Sequence, residues 1–247
     1  MKTSDKILLY SASFALTAFV GTNLLHYAKY RAGDILDAKA INAQDYTQHT
    51  LPGIHSIELD GPMRATLYPS DHFEFDLPRD AEGAFDYRQQ GDSLLLFCTD
   101  RKKIRDPHDN WNSYLDYLPV HIYFPRQTHI HIRNGFADLS NEEDQKAVSV
   151  SFLLNSSQLW VGAYHPQADT VYAVEHFDSL RVSAINSNII FNKQSHIAHL
   201  DLRLDDNSDA EDRFSTIDSA VYLVDSNTNL RIRGKNSNKI RFATMNH

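Results

Sequence analysis

Residues 180–202, LRVSAINSNIIFNKQSHIAHLDL, carry a short alternation, Leu180-Arg181-Val182, that returns twenty residues later as Leu200-Asp201-Leu202. The pattern extends both ways: Leu159-Trp160-Val161 lies 21 residues before, and Val221-Tyr222-Leu223 and Ile240-Arg241-Phe242 follow at steps of 21 and 19. All ten flanking positions are apolar. Residues i and i+2 of a strand share a face, so each triplet predicts two side chains in and one out. A strand recurring about every 20 residues is what each winding of a parallel β-helix supplies, one layer of core per winding. The outward residues then form a ladder of Trp160, Arg181, Asp201, Tyr222 and Arg241.

Asparagine and serine punctuate the repeat at Asn186-Ser187-Asn188, Asn227-Thr228-Asn229 and Asn236-Ser237-Asn238. Such residues tolerate left-handed backbone and hydrogen-bond to nearby amides, which suits tight corners. An antiparallel sandwich with turns every 8 to 12 residues also alternates and is the competing architecture. Upstream, Leu94-Leu95-Leu96-Phe97, Val120-His121-Ile122-Tyr123-Phe124 and His129-Ile130-His131-Ile132 read as strands. Gly91-Asp92, Pro125 and Asn134-Gly135 bound them. No stretch after Ile54 sustains helical periodicity, so the expectation is an all-β domain over 54–247. We read it as a single-chain parallel β-helix, right-handed by the general chirality of parallel crossovers. The acidic stretches at Asn141-Glu142-Glu143-Asp144 and Asp205-Asp206-Asn207-Ser208-Asp209 are expected to bulge out as surface loops.

The amino terminus differs. Ile7 to Leu25 is a run of nineteen residues without charge. As a helix it extends about 28 Å, close to the ~30 Å hydrocarbon core of a bilayer. A cleaved signal peptide needs a shorter core and a small-x-small site, and the nearest such triplet, Ala38-Lys39-Ala40, lies well beyond. The expectation is therefore a membrane anchor over 1–31, spanning at about 7–25, then a juxtamembrane stalk over 32–53. Lys2 and Lys6 on one flank balance Lys29, Arg31 and Lys39 on the other, so positive charge does not fix the orientation.

Beyond Arg31 the chain holds 20 basic and 31 acidic residues, a balance of −11, which repels phosphate backbones and disfavours nucleic acid as a partner. Cys98 is the single cysteine, so no intramolecular disulfide closes the fold and no cysteine-based metal set exists.

Ser56-Ile57-Glu58-Leu59-Asp60-Gly61-Pro62 through Ala65-Thr66-Leu67, then Phe73-Glu74-Phe75 and Gly91-Asp92-Ser93-Leu94-Leu95-Leu96, resemble the opening of the auto-transporter adhesin head GIN domains. Val120-His121-Ile122-Tyr123-Phe124-Pro125 with Ile130-His131-Ile132 and Asn134-Gly135 is similar to that family's second motif. The resemblance covers about Ile54 to Phe242. It departs at Tyr68-Pro69-Ser70-Asp71, where a proline-led turn is expected in place of a glycine. It implies a bacterial, cell-envelope β-helix, often membrane-tethered, and it brings no catalytic residues.

Among site candidates, the exposed ladder offers aromatic faces and planar hydrogen-bonding groups to a glycan or protein partner. The same ladder also reads as a solvated sheet face with an Arg181–Asp201 pair on adjacent strands. His129 and His131 share a strand face, with His121 on a neighbour, but zinc usually needs three or four convergent groups, so no metal site is assigned. Asp205 to Asp209 resembles a calcium loop, yet Ala210 and Thr216 replace the glycine and the bidentate acid. Asp201, Asp218 and Asp225 are the acids a β-helical glycan hydrolase or lyase would draw on. No nucleophile elbow, HExxH or phosphate loop is present. The reading is a non-enzymatic envelope protein without a cofactor, held by its N-terminal helix in the membrane and binding a glycan or an envelope protein. A carbohydrate-active enzyme and a sensory accessory are the alternatives.

Overall fold

The computed structural model describes residues 45–100, 119–141, 148–162, 174–193, 195–233 and 240–242, together with Phe19 and Asn236. The expected span at 7–25, except Phe19, the stalk up to residue 44, residues 142–144 of the first acidic stretch and Ser237-Asn238 lie outside them. Among the described residues no helix is long and apolar enough to cross a membrane. The chain divides into two compact units, Met1–Tyr46 and Thr47–His247, and the strands build the second.

That unit is all β. Its strands are β1 (Tyr46–Thr50), β2 (Ser56–Asp60), β3 (Arg64–Ser70), β4 (Glu74–Pro78), β5 (Phe85–Gln90) and β6 (Ser93–Cys98). Next come β7 (Pro119–Pro125), β8 (His129–Arg133), β9 (Phe136–Leu139), β10 (Ser149–Asn155), β11 (Gln158–Val161) and β12 (Glu175–Ile185). The last are β13 (Asn188–Phe191), β14 (Ser195–Asp205), β15 (Asp209–Asp212), β16 (Thr216–Val224), β17 (Asn229–Arg231) and β18 (Ile240–Phe242). They form two nine-stranded sheets, ordered β1-β4-β7-β3-β9-β11-β13-β15-β17 and β18-β16-β14-β12-β10-β8-β2-β6-β5. From β7 onward successive strands alternate between the sheets, with β7 in the first, and from β8 each pairs in parallel with the strand two further along.

The sheets are mixed rather than wholly parallel. β5 and β6 form an antiparallel hairpin whose two-residue loop, Gly91-Asp92, places Gly91 at φ 64, a value glycine adopts without a Cβ penalty. β4 pairs antiparallel with β7. The turn expected at Tyr68-Pro69 is absent, because Pro69 continues β3 beside Phe124 of β7. β9 pairs with β3 only as far as Leu67, so the missing N–H of Pro69 falls where no ladder needs it.

Alternation converts directly into core. Leu94, Ile57, Ile130, Phe152, Val182, Leu202 and Tyr222 stand in register across the second sheet, all buried. On the first sheet Phe75, Ile122, Leu67, Leu139, Val161 and Phe191 form a matching buried row. All belong to one apolar cluster. Burying such a side chain contributes roughly 1.5–3 kcal/mol.

The repeat is real but its phase needs correcting. Leu180 stands opposite Leu200, as expected, but the next residues in that row are Ala220 and Ile240, not Val221. Val221 points outward, 41% exposed, while Tyr222 is inside at 2%. Leu159 and Val161 belong to the other sheet, beside Ile189 and Phe191. Their 21-residue offset from Leu180 is a coincidence of strand lengths.

One edge between the sheets is closed by hydroxyls. Asn134, Ser156, Asn186, Asp206 and Asn207 adopt left-handed backbone at successive corners, with φ between 46 and 57. The residue after most of these turns is a buried serine. Ser157 N–H donates to Ser187 Oγ at 3.1 Å, and Ser187 N–H donates to Ser208 Oγ at 3.2 Å. Each hydroxyl then donates to a carbonyl of its own corner: Ser187 to Ile185, Ser208 to Asp205, and Thr228, one layer on, to Asp225. Corner amides that strand pairing leaves over are thus satisfied internally. The stretch Asp205 to Asp209, expected to bulge, is one of these tight corners, and Ser208 has no exposed surface.

Candidate functional site

The five residues expected to form one exposed ladder do not share a face. Arg181, Asp201, Val221 and Arg241 are in register on the second sheet, with Arg181 Nε 3.1 Å from Asp201 Oδ2. Tyr222 points inward, as the odd and even positions of β16 require, and burial followed by the charge of Asp212 pushes its hydroxyl pKa up. Trp160 lies on the first sheet, half-buried and edge-on to Phe136 at 5.2 Å.

Trp160 instead belongs to an outward row of distant sequence origin: Asp76, His121, Thr66, Asp138, Trp160, Ile190, Glu211 and Arg231. The row is electrostatically unusual. Burial pushes Asp138 up to about 6, although Arg64, whose Nη2 lies 3.4 Å from Oδ2, opposes the shift. Burial, reinforced by Glu74, raises Asp76 to about 6. Burial, then the Arg64 charge, lowers His121 to about 4.

The histidines weighed as metal ligands are separated. His121 is on the first sheet, whereas His129 and His131 are on the second. There His129 meets Ser151 Oγ, and His131 Nδ1 lies 3.7 Å from Glu58. Among the described residues no group of three or more histidine, cysteine, aspartate or glutamate side chains gathers as a metal set. At the corner read as a calcium-loop candidate, Asp205 accepts a hydrogen bond from Arg203 at 2.8 Å.

A concave site does exist, at the serine-closed edge. Ser156, Asn186 and Asn207 form one bank, Gln158, Asn188 and Asp209 the other, and Ser157 and Ser187 lie between, around an open depression of about 290 Å³. Gln158, Asn188, Asp209 and Asn229 are in parallel register at the starts of β11, β13, β15 and β17, so one polar group appears per layer. Layers in a sheet are about 4.8 Å apart. Asn229 Nδ2 donates to Asp209 Oδ1 at 2.7 Å, and Asn186 Nδ2 to Ser156 Oγ at 3.2 Å, which hold the banks in place. Carboxamides and hydroxyls offer both donors and acceptors, and the single carboxylate of the lining, Asp209, has a partner. Asp201 is paired with Arg181, Asp218 with His196, and Asp225 with the turn at Ser226, so the acids considered for catalysis lie outside this lining.

The sequence had marked Asn186 to Asn188 and Asn227 to Asn229 only as corners. Their second role was hidden because the two banks come from either side of an inward serine, and the step from Gln158 to Asn188 is 30 residues rather than about 20.

No family model matches the chain, and no curated protein matches it. Among solved structures the chain is similar to a candidate cell adhesion protein from Clostridium sporogenes ATCC 15579, 9% identical, over 80% of this chain and 99% of that one, with a TM-score of 0.30. It is also similar to a candidate adhesin from Parabacteroides merdae ATCC 43184, 9% identical, over 80% of this chain and 94% of that one, with a TM-score of 0.28. Values this low carry neither a family nor a function to this chain.

Proposed function

We propose that this is a non-enzymatic envelope-binding protein: a parallel β-helix of the GIN type, tethered through residues 7–25, whose amide-lined cleft takes a neutral glycan strand. The cleft carries the reading. It repeats one hydrogen-bonding side chain per layer at a spacing comparable to a sugar ring, which matches a polymer of hydroxyls better than a compact ligand. Most glycoside hydrolases flank the scissile bond with two carboxyl groups, and the cleft lining contains one. The winding interpretation is supported by the strict alternation of strands between sheets from β7 onward and by the apolar rows it stacks.

The test is binding of the full chain to insoluble chitin, β-glucan and peptidoglycan, each measured by pull-down and by calorimetry on soluble fragments. Wild type is expected to bind at least one, and Gln158→Ala/Asn188→Ala to weaken that binding about tenfold or more with an unchanged circular dichroism spectrum. Binding by neither protein, or equal binding by both, rejects the cleft as the site.

A further inference from the structure

On the outward face of the second sheet, His176 of β12 stands directly opposite His196 of β14 in parallel register. Their Nδ1 atoms lie 3.1 Å apart, with ring centroids at 5.1 Å and planes inclined at 67°. On the far side of His196, its Nε2 is 2.8 Å from Asp218 Oδ2 on β16.

The tautomers follow from this arrangement. An ionised carboxylate only accepts, so Nε2 of His196 carries the proton in that contact, and in the neutral ring its Nδ1 then presents a lone pair toward His176. Either His176 Nδ1–H donates to that lone pair, or both Nδ1 lone pairs point at one cation. The second arrangement has the distances of a metal pair. With metal–nitrogen bonds of about 2.0–2.1 Å, two imidazole nitrogens that are neighbours on one ion stand roughly 3–3.4 Å apart. The carboxylate behind His196 is the outer-shell partner that orients a ligating imidazole and raises its basicity. Thr216, next in the row after His196, adds no charge, and Asp218 keeps the local field favourable to a cation.

We propose that His176 and His196 form a two-imidazole site for a divalent first-row transition ion, with Asp218 positioning His196 and water filling the remaining coordination positions. Imidazole selects copper(II), nickel(II) and zinc(II) over calcium and magnesium, with copper(II) held most tightly. The site is independent of the glycan cleft, with which it shares no residue.

The experiment is copper(II) titration of the full chain at pH 7.5, read by electron paramagnetic resonance and calorimetry, with zinc(II) and magnesium(II) in parallel. The chain has thirteen histidines, so site-specific variants carry the decision. Wild type is expected to take one copper(II) with a two-nitrogen spectrum, zinc(II) more weakly and magnesium(II) not at all. His176→Gln and His196→Gln should each abolish that spectrum, Asp218→Asn should weaken binding about 10–100-fold, and His129→Gln should leave it unchanged. Both outer positions are at the surface, so circular dichroism of the variants should match wild type. If His176→Gln and His196→Gln retain the wild-type spectrum and affinity, or wild type takes no stoichiometric copper(II), the dyad is a plain hydrogen bond and the proposal fails. Unchanged binding by Asp218→Asn overturns the positioning role of Asp218.

Discussion

Replacing Ser208 by alanine should reveal how much of the stability resides in the corner hydroxyls. Ser208 has no exposed surface, and its Oγ accepts the Ser187 N–H at 3.2 Å while donating to the Asp205 carbonyl at 2.6 Å. Alanine removes both bonds and little volume. An orphaned buried N–H costs about 1–3 kcal/mol, and the lost hydroxyl–carbonyl bond adds about 1 kcal/mol net. The expected loss is therefore about 2–4 kcal/mol, with the upper end favoured because rigid stacked backbone cannot bring another acceptor to Ser187. Ser208→Thr keeps the hydroxyl, and Thr228 occupies the equivalent corner one layer on with the same bond to Asp225, so threonine should recover most of the loss. Urea unfolding followed by circular dichroism measures both variants. If Ser208→Ala stays within about 0.5 kcal/mol of wild type, the hydroxyl row is incidental, since that is the range of neutral surface changes.

Leu200→Ala should cost about 2–5 kcal/mol and Val221→Ala less than about 0.5 kcal/mol. The reverse order in the same urea assay would restore the phase read from the triplets. Breaking the exposed Arg181–Asp201 pair with Arg181→Ala should change stability by less than about 0.5 kcal/mol, because both side chains are well solvated; a larger, salt-sensitive loss would contradict this. For Asp138 the folded pKa of about 6 lies above its unfolded value, so ionisation above pH 6 works against folding and the cost vanishes as the pH falls toward 4. Asp138→Asn should thus stabilise at pH 7.5, by at most about 3 kcal/mol before loss of the Arg64 contact is subtracted, and converge on wild type at pH 4. His121 acts with the opposite sign: its folded pKa of about 4 lies below the unfolded one, so stability falls as pH drops from about 6.5 through 4. Thermal melts across that range, with His121→Gln removing the acid-side decline, separate the two, and a destabilised Asp138→Asn at pH 7.5 would mean that the ion pair outweighs burial.

Much of the architecture was legible because two periodicities are written in the chain. Alternation gave the strands, and Asn-Ser-Asn and Asn-Thr-Asn gave the corners at Asn186 and Asn227. The phase was missed at one small residue: Ala220 holds the inward position, but the adjacent Val221 looks more apolar. The two-sheet path was missed at Leu159, because residues 163–173 lengthen the step from Leu159 to its true neighbour Ile189 to 30. The cleft was missed for the same reason. The His176–His196 dyad, in contrast, sits at the twenty-residue step and extending the repeat four residues upstream of Leu180 would have found it. The half-buried ionisable row could not be read at all, since the strands that pair to form it, β4 with β7, β7 with β3 and β3 with β9, are not consecutive in the chain.

β12, β14 and β16 hold the same residue offsets throughout: Glu175 faces Ser195, His196 faces Thr216, and Leu180, Leu200, Ala220 and Ile240 advance in steps of twenty. Length in this region is consequently quantised. Excising Ser195 to Phe214 would set Ser215 where Ser195 stood and leave every inward side chain inward, whereas removing one residue more or fewer would turn an entire strand inside out. A duplication of twenty residues at this point is likewise expected to keep the inward and outward faces of the second sheet in phase.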